Sequence, residues 1–434
     1  MASGTAAGSA APGAAADLTS ISTSGRGWDA RNVYLGLTTM KDVDQTSAAA
    51  GSPTSYGDMQ GDADAVAAAL NRQGGLFGRQ VKVITHDNKS ATVETQPATS
   101  AQENCTVFTQ DHPVLAVVAV APIDGDVLRA CLAHSHTTDI AIGPQPWLDR
   151  TVSSYLPFFY HATMPSWDSL MPVFLQRLKA QKYFTGWDTI NGRPSATARV
   201  KVGVLYGTSA AASYAGPALL RALKAAGYPT DSYQHNEQIS GSDMSSAVLR
   251  FEANGVTHVL DVDAYLVFFA TSAEPQSYHP RYGITTYNAP FPLLASVAPA
   301  DQNRGAVGVG WYPSYDVASS KEPAMTAVGT RWCLAALAAG GQTFAGDSRR
   351  VAKLVGLAIC DSIRMMVLGA QAGGGLDPAS IRRGIVALGT SFPMAGGFGS
   401  GLGASNPGLP GAGRDLAYDA SCSCFGYVGS AYRF

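Results

Sequence analysis

The chain has 434 residues, 46% hydrophobic and only 14% charged: ample material for a buried core, and too much length for one compact domain. A formal net charge of −2 provides no electrostatic footprint for nucleic acid or an anionic membrane surface. The longest apolar runs, residues 114–121 and 332–339, are too short to span a bilayer, which leaves a soluble globular protein of two domains.

Residues 1–17, MASGTAAGSAAPGAAAD, cannot bury enough apolar area to fold, and residues 1–27 read as a flexible tether. They show no basic segment followed by an apolar stretch, so a signal sequence is expected to be missing from this chain. Strands and helices then alternate. Residues 33–37 (VYLGL) predict a strand. Met59, Ala63, Val66 and Leu70 follow at helical spacing and stop at Gly74-Gly75. Residues 80–84 (QVKVI) alternate as a second strand, 92–109 predict a helix, and 114–120 (VLAVVAV) a continuous buried strand. A helix at 123–133 and a short strand at 140–142 complete a βαβαβαβ series, which implies a parallel sheet covered on both faces.

After Trp167 the pattern restarts. Helix 168–180 leads to strand 199–205 (RVKVGVL), helix 215–226 closed by Gly227, helix 242–254 and strand 257–262 (THVLDV). The predicted class is therefore α/β, with two doubly wound parallel-sheet lobes. Helices at 323–339, 351–370 and 380–388 follow, then a Gly-rich stretch at 395–413 and a strand at 424–428. The Gly-x-Gly-x-x-Gly-like stretch at 396–403 follows no predicted strand and opens no helix, so it reads as a loop.

Catalytic patterns are weak. Gly207-Thr208-Ser209-Ala210-Ala211 lacks the second glycine of a nucleophile elbow, and no Walker A loop occurs. His134 and His136, two apart at a predicted helix end, do not share a face for a metal, and His112 and His161 stand alone. No enzyme, cofactor or metal is expected. Six cysteines, Cys105, Cys131, Cys333, Cys360, Cys422 and Cys424, permit full pairing and equally permit buried free thiols. Cys422-Ser-Cys424 reads either as a redox pair or as two thiols bonded to each other.

Residues 56–90, YGDMQGDADAVAAALNRQGGLFGRQVKVITHDNKS, resemble the first helix and second strand of type I periplasmic solute-binding proteins. That branch includes the leucine/isoleucine/valine-binding proteins of ABC transporters. The residues carrying the likeness are Asn71, Gly74, Gly75, Gly78, Arg79 and Asp87, with Gly74 and Gly78 suited to positive-φ positions. Residues 200–228 resemble the first strand and helix of that family's second lobe, with Tyr214 at its aromatic position. Gly241-Ser242-Asp243 is similar to the family's Gly-x-x-Asp, one residue shorter, and 308–313 (GVGWYP) to the strand after the chain crosses back.

The resemblance covers most of residues 28–434 and implies a clamp with a three-strand hinge. Lobe 1 would take 28–166 and 290–390, lobe 2 167–289 and 391–434. A small molecule would bind between the lobes, at the carboxyl ends of the strands, for delivery to an ABC transporter permease by a monomeric, extracytoplasmic protein. The tether would follow a lipid anchor, the only expected tie to a membrane. The family also implies a Cys105–Cys131 bridge across the third strand, while Cys333 and Cys360 fall on neighbouring helices where pairing stays open.

Strand ends then name the cleft: Asp124 after the third strand, Gln145 and Trp147 after the fourth, Ser213 and Tyr214, Asp263 and Tyr265, and Trp311. The Asp124 carboxylate would repel an α-carboxylate, so a bulky apolar or aromatic ligand is expected, with a branched-chain amino acid or a sensing receptor as alternatives. Asp124 could instead cap its helix, and Trp147 could pack on the hinge.

Overall fold

The structure, a computed structural model, describes residues 21–49, 54–120, 123, 125–236 and 241–434. In the first sheet, β1 (Asn32–Thr39), β2 (Gln80–Asp87), β3 (Ala116–Val120), β4 (Thr138–Ile142) and β5 (Phe159–His161) run parallel in the order β2-β1-β3-β4-β5. Every residue of β3 and β4 is buried, as an apolar run covered on both faces requires. A small hairpin, β6 (Trp187–Asp188) and β7 (Arg193–Pro194), precedes the second sheet. There β8 (Val202–Tyr206), β9 (Thr230–Gln234), β10 (His258–Asp261), β11 (Arg281–Thr285) and β12 (Val307–Gly310) are parallel. The strands β13 (Ala412–Asp419) and β14 (Cys424–Arg433) add antiparallel beyond β12, giving β14-β13-β12-β11-β10-β8-β9.

Residues 307–310, expected with the first lobe, pair in the second sheet, so the chain crosses back later than the pattern suggested. The helices Val328–Ala339 and Arg350–Gly373 do pack on the first lobe, against the helix Met59–Arg72, and the longer one also against β3 and β4. The helix expected from 323 begins only at Val328. The single helix expected over 92–109 is interrupted where Pro97, which has no N–H to donate, restarts it.

The residues that carry the family likeness have local mechanical roles. The Asn71 amide donates to the Val81 carbonyl at 2.9 Å and its oxygen accepts the Val81 N–H at 2.7 Å, so one side chain ties the helix end to β2. Gly75 sits at φ +68°, where an added Cβ would strike the Arg79 carbonyl. Arg79 donates to the carbonyls of Asp29 and Ser22. At the far end of β2, Asp87 accepts from Thr39 Oγ1 and the Lys41 N–H, which holds the loop after β1 at the carboxyl edge of the sheet.

All six cysteines are paired. Cys105–Cys131 joins the helices Pro97–Thr106 and Asp126–His134 on either side of β3 in sequence, Cys333–Cys360 joins two first-lobe helices, and Cys422–Cys424 closes the turn between β13 and β14. The Cys333–Cys360 link, 27 residues apart, constrains the unfolded chain, so replacing both by alanine is expected to cost about 2–4 kcal/mol in a guanidinium titration. A midpoint equal to wild type would show that the bridge does not restrain the chain.

Asp62, buried beneath Gly356 of the long helix, has no hydrogen-bond partner on either carboxylate oxygen among the described residues. Burial, helped by Asp58 and opposed by Arg349, pushes its pKa up to about 7. The folded state thus keeps a proton that the unfolded chain releases near pH 4. Its contribution is neutral below that pH and grows destabilising as pH rises to about 7. Asp62→Asn should therefore stabilise the protein by a few kcal/mol at pH 8, the gain vanishing below pH 4 in paired melts; a gain independent of pH would refute the assignment.

Candidate functional site

Chain passing between two sheets leaves the ladders that satisfy backbone groups, so its carbonyls need other donors. The first passage, just after β5, receives three in succession. Trp311 Nε1 donates to the Thr163 carbonyl at 2.9 Å, Trp147 Nε1 to Met164 at 3.1 Å, and the Tyr287 hydroxyl to Pro165 at 2.6 Å. Trp167 stacks on Tyr287 and donates to the Val262 carbonyl at 2.8 Å. His161 stacks on Trp147 and accepts the Met164 N–H at Nδ1; burial, with Arg129 nearby, lowers its pKa to about 3, so it acts as a neutral acceptor.

Trp147 and Trp311 are 2% and 0% exposed. Trp311 was expected on the cleft rim, and Trp147 either in the cleft or packed on the hinge; the structure buries both around the passage with their N–H groups engaged. The third passage is tied to the same place: Leu409 donates to the His161 carbonyl and His161 to that of Pro407. Asp361 of the long first-lobe helix accepts the N–H groups of Ala395 and Gly396.

In the second lobe a polar cluster forms at the carboxyl ends of β8, β9 and β10. Asp263 Oδ2 accepts the Gly207 N–H at 2.9 Å, and Ser213 Oγ, 3.4 Å from the Gly207 carbonyl, accepts from Gln234 Nε2 at 3.0 Å. His235 Nε2 lies 3.5 Å from Asp263 Oδ1, and Tyr265 meets the His235 ring edge-on at 4.5 Å. Asp261 accepts the N–H groups of Asp263 and Tyr265 and the Asn288 amide. Burial and the adjacent Asp263 carboxylate push Asp261 well above the usual carboxyl range. For His235 burial acts against charging, but Asp263 outweighs it and the pKa is raised.

Ser213, Tyr214, Asp263 and Tyr265 thus converge on one end of the second sheet. Tyr214, half-buried on the helix Ala210–Ala225, lies beneath the guanidinium of Arg150, which belongs to the short first-lobe helix Asp149–Val152. This cation–π contact joins the two lobes. Gln145 is half-buried after β4, where Thr163 Oγ1 accepts the Gly143 N–H, while Asp124 lies outside the described residues. Sequence reasoning missed His235, Asp261, Gln234 and Arg150. The Asp261-Val262-Asp263 repeat at a strand end was the available signal; His235 follows a strand, TDSYQ, without an apolar pattern to reveal it.

Parallel sheets with three passages between them, and a polar cluster at their carboxyl ends, define the type I periplasmic binding protein fold, the fold of ABC-transporter solute-binding proteins. Solved structures show the likeness over nearly the whole chain. An ABC-transporter substrate-binding protein from Aeropyrum pernix is 11% identical with TM-score 0.66, the alignment covering 93% of this chain and 96% of that one. A branched-chain amino acid ABC transporter protein from Thermus thermophilus, with bound valine, is 12% identical at 0.64, covering 93% and 97%. A solute-binding protein from Rhodopseudomonas palustris HaA2, in complex with p-hydroxybenzoic acid, is 11% identical at 0.63, with the same coverage. No family model and no curated sequence relative matches the chain.

Trp147→Ala would remove a buried indole and a donor to the passage. It should lower stability by about 3–5 kcal/mol in denaturant melts. An unchanged midpoint would free Trp147 from this supporting role.

Proposed function

We propose that the protein is an extracytoplasmic solute-binding protein that captures a small organic molecule between its lobes and delivers it to an ABC importer, without catalysing a reaction. The observation that carries this reading is the polar cluster at the carboxyl ends of β8, β9 and β10, facing a first lobe reached by three passages. Lobes joined by such passages would close by hinge motion, and a permease would read the closed form. Three disulfides support an oxidising, extracytoplasmic compartment.

The ligand we propose has a flat or apolar body and an anionic end. Tyr265, and Tyr214 beneath the Arg150 guanidinium, remain half-buried after the tryptophans are accounted for, and would present aromatic surface to a ligand that draws Arg150 away. Arg150 has no carboxylate partner among the described residues and stands at the mouth, available to a ligand carboxylate. The Rhodopseudomonas protein bound to p-hydroxybenzoic acid is a precedent for such a ligand on this fold, and the valine-bound Thermus protein a precedent for an amino acid. Gln145 and Ser213 would supply hydrogen bonds at the rim.

Denaturing the purified protein and identifying released small molecules by mass spectrometry tests the reading directly. Calorimetry of the molecule found should then show Tyr214→Ala weakening binding about ten- to a hundredfold, roughly 1–3 kcal/mol, with little change in melting temperature. Unchanged affinity in Tyr214→Ala and Arg150→Ala would remove the proposed ligand surface.

A further inference from the structure

We propose that His235, Asp261 and Asp263 form a binding site for a divalent transition-metal ion of the zinc class on the second-lobe wall. One donor atom from each lies within 4.8 Å of the others, and all three residues are buried, at 0%, 1% and 4% exposure. His235 Nδ1 is 3.1 Å from the Asn236 carbonyl, a distance that places the ring proton on Nδ1 and leaves the Nε2 lone pair facing the carboxylates. Nε2 and Asp263 Oδ1 are both buried without a hydrogen-bond partner. Their 3.5 Å separation is long for a charge-assisted hydrogen bond, yet matches two ligands of one tetrahedral ion, roughly 3.4 Å apart for bonds of about 2.0–2.1 Å.

The surroundings fit a metal's outer shell. The Gly207 N–H holds the other oxygen of Asp263, and the Tyr265 N–H and Asn288 amide hold Asp261, so each carboxylate is oriented by neutral donors. Among the described residues no Lys or Arg pairs with either acid; the only ion-pair partner of Asp263 is His235 itself. Metal binding would displace protons from this cluster, leaving a neutral imidazole and two carboxylates whose two negative charges a divalent cation balances. Three protein ligands leave at least one coordination position open. On the clamp reading, on which this last point alone rests, an oxygen of the captured molecule would fill it.

The full-length protein, stripped with a chelator, is titrated with zinc chloride by calorimetry, with bound metal counted by atomic emission. One ion per chain is expected. His235→Ala and Asp263→Ala should each weaken binding about ten- to a hundredfold. Glu274→Gln, which alters the separate His279–Glu274 pair, should bind as wild type. No binding by the stripped wild type, or binding unchanged in both ligand variants, overturns the site. Should the variants fail to fold, cobalt substitution in wild type decides: intense visible bands of a four-coordinate ion support the site, and a weak octahedral spectrum refutes it. Mass spectrometry of small molecules released from the metal-stripped protein reads the clamp separately, so either proposal can fail alone.

Discussion

Three consecutive carbonyls, those of Thr163, Met164 and Pro165, carry the constraint on which the architecture rests. They lie on chain that has left one sheet and not yet joined the other, buried where water cannot serve them. An unsatisfied buried carbonyl costs about 1–3 kcal/mol, and three in a row would make the passage untenable. Indole and phenol groups answer the need because they are large apolar bodies with a single donor at one edge. Trp147 from the first lobe, and Tyr287 and Trp311 from the second-sheet side, converge on the same three residues. The passage is thus fixed from both sides.

That arrangement separates two kinds of aromatic residue. Those with an engaged N–H or O–H, packed against His161 or Trp167, hold the frame. Tyr214, on a helix beneath the Arg150 guanidinium, and Tyr265, edge-on to His235, stay half-buried beside polar groups instead. Residue type alone does not distinguish them, since a tryptophan after a strand end satisfies both descriptions. The difference lies in where the donor atom goes, and for Trp147 and Trp311 it goes to chain many residues distant.

The fold was legible in the sequence wherever burial was two-sided. VLAVVAV admits only a covered strand, and repeated strand–helix alternation gives a parallel sheet. The segment from Asn71 to Asp87 was legible for a different reason: Asn71, Arg79 and Asp87 each tie the ends of the helix or of β2 to specific neighbouring groups, most of them in the chain around β1. β9, β11 and β13 were not seen, because TDSYQ, RYGIT and AGRDLAYD mix polar and apolar residues without period. Their pairing is decided by neighbouring strands. The same limit shifted the second passage: VGVG at 307–310 is too short to declare its sheet. At the site, Ser213, Tyr214, Asp263 and Tyr265 could be named because each follows a recognisable strand, while His235 was hidden behind an unrecognised one.

The two halves of the cleft differ in chemistry, and the difference follows from how each is built. On the first lobe, the loop after β1 has its polar groups consumed locally: Asp87 holds Thr39 and Lys41, and Thr38 Oγ1 accepts the Val120 N–H. These contacts shape the edge but leave little to offer a ligand, apart from the guanidinium of Arg150. On the second lobe, the strand ends converge with more acceptors than donors. Asp261 and Asp263 share one strand end, and the backbone N–H groups and the Asn288 amide that reach them leave His235 Nε2 and Asp263 Oδ1 unpaired. The second-lobe strand ends are therefore acceptor-rich, while on the first-lobe side the Arg150 guanidinium lies over the Tyr214 ring. On the clamp reading proposed above, closure would bring both to bear at once, and recognition would belong to the pair of lobes rather than to either wall alone.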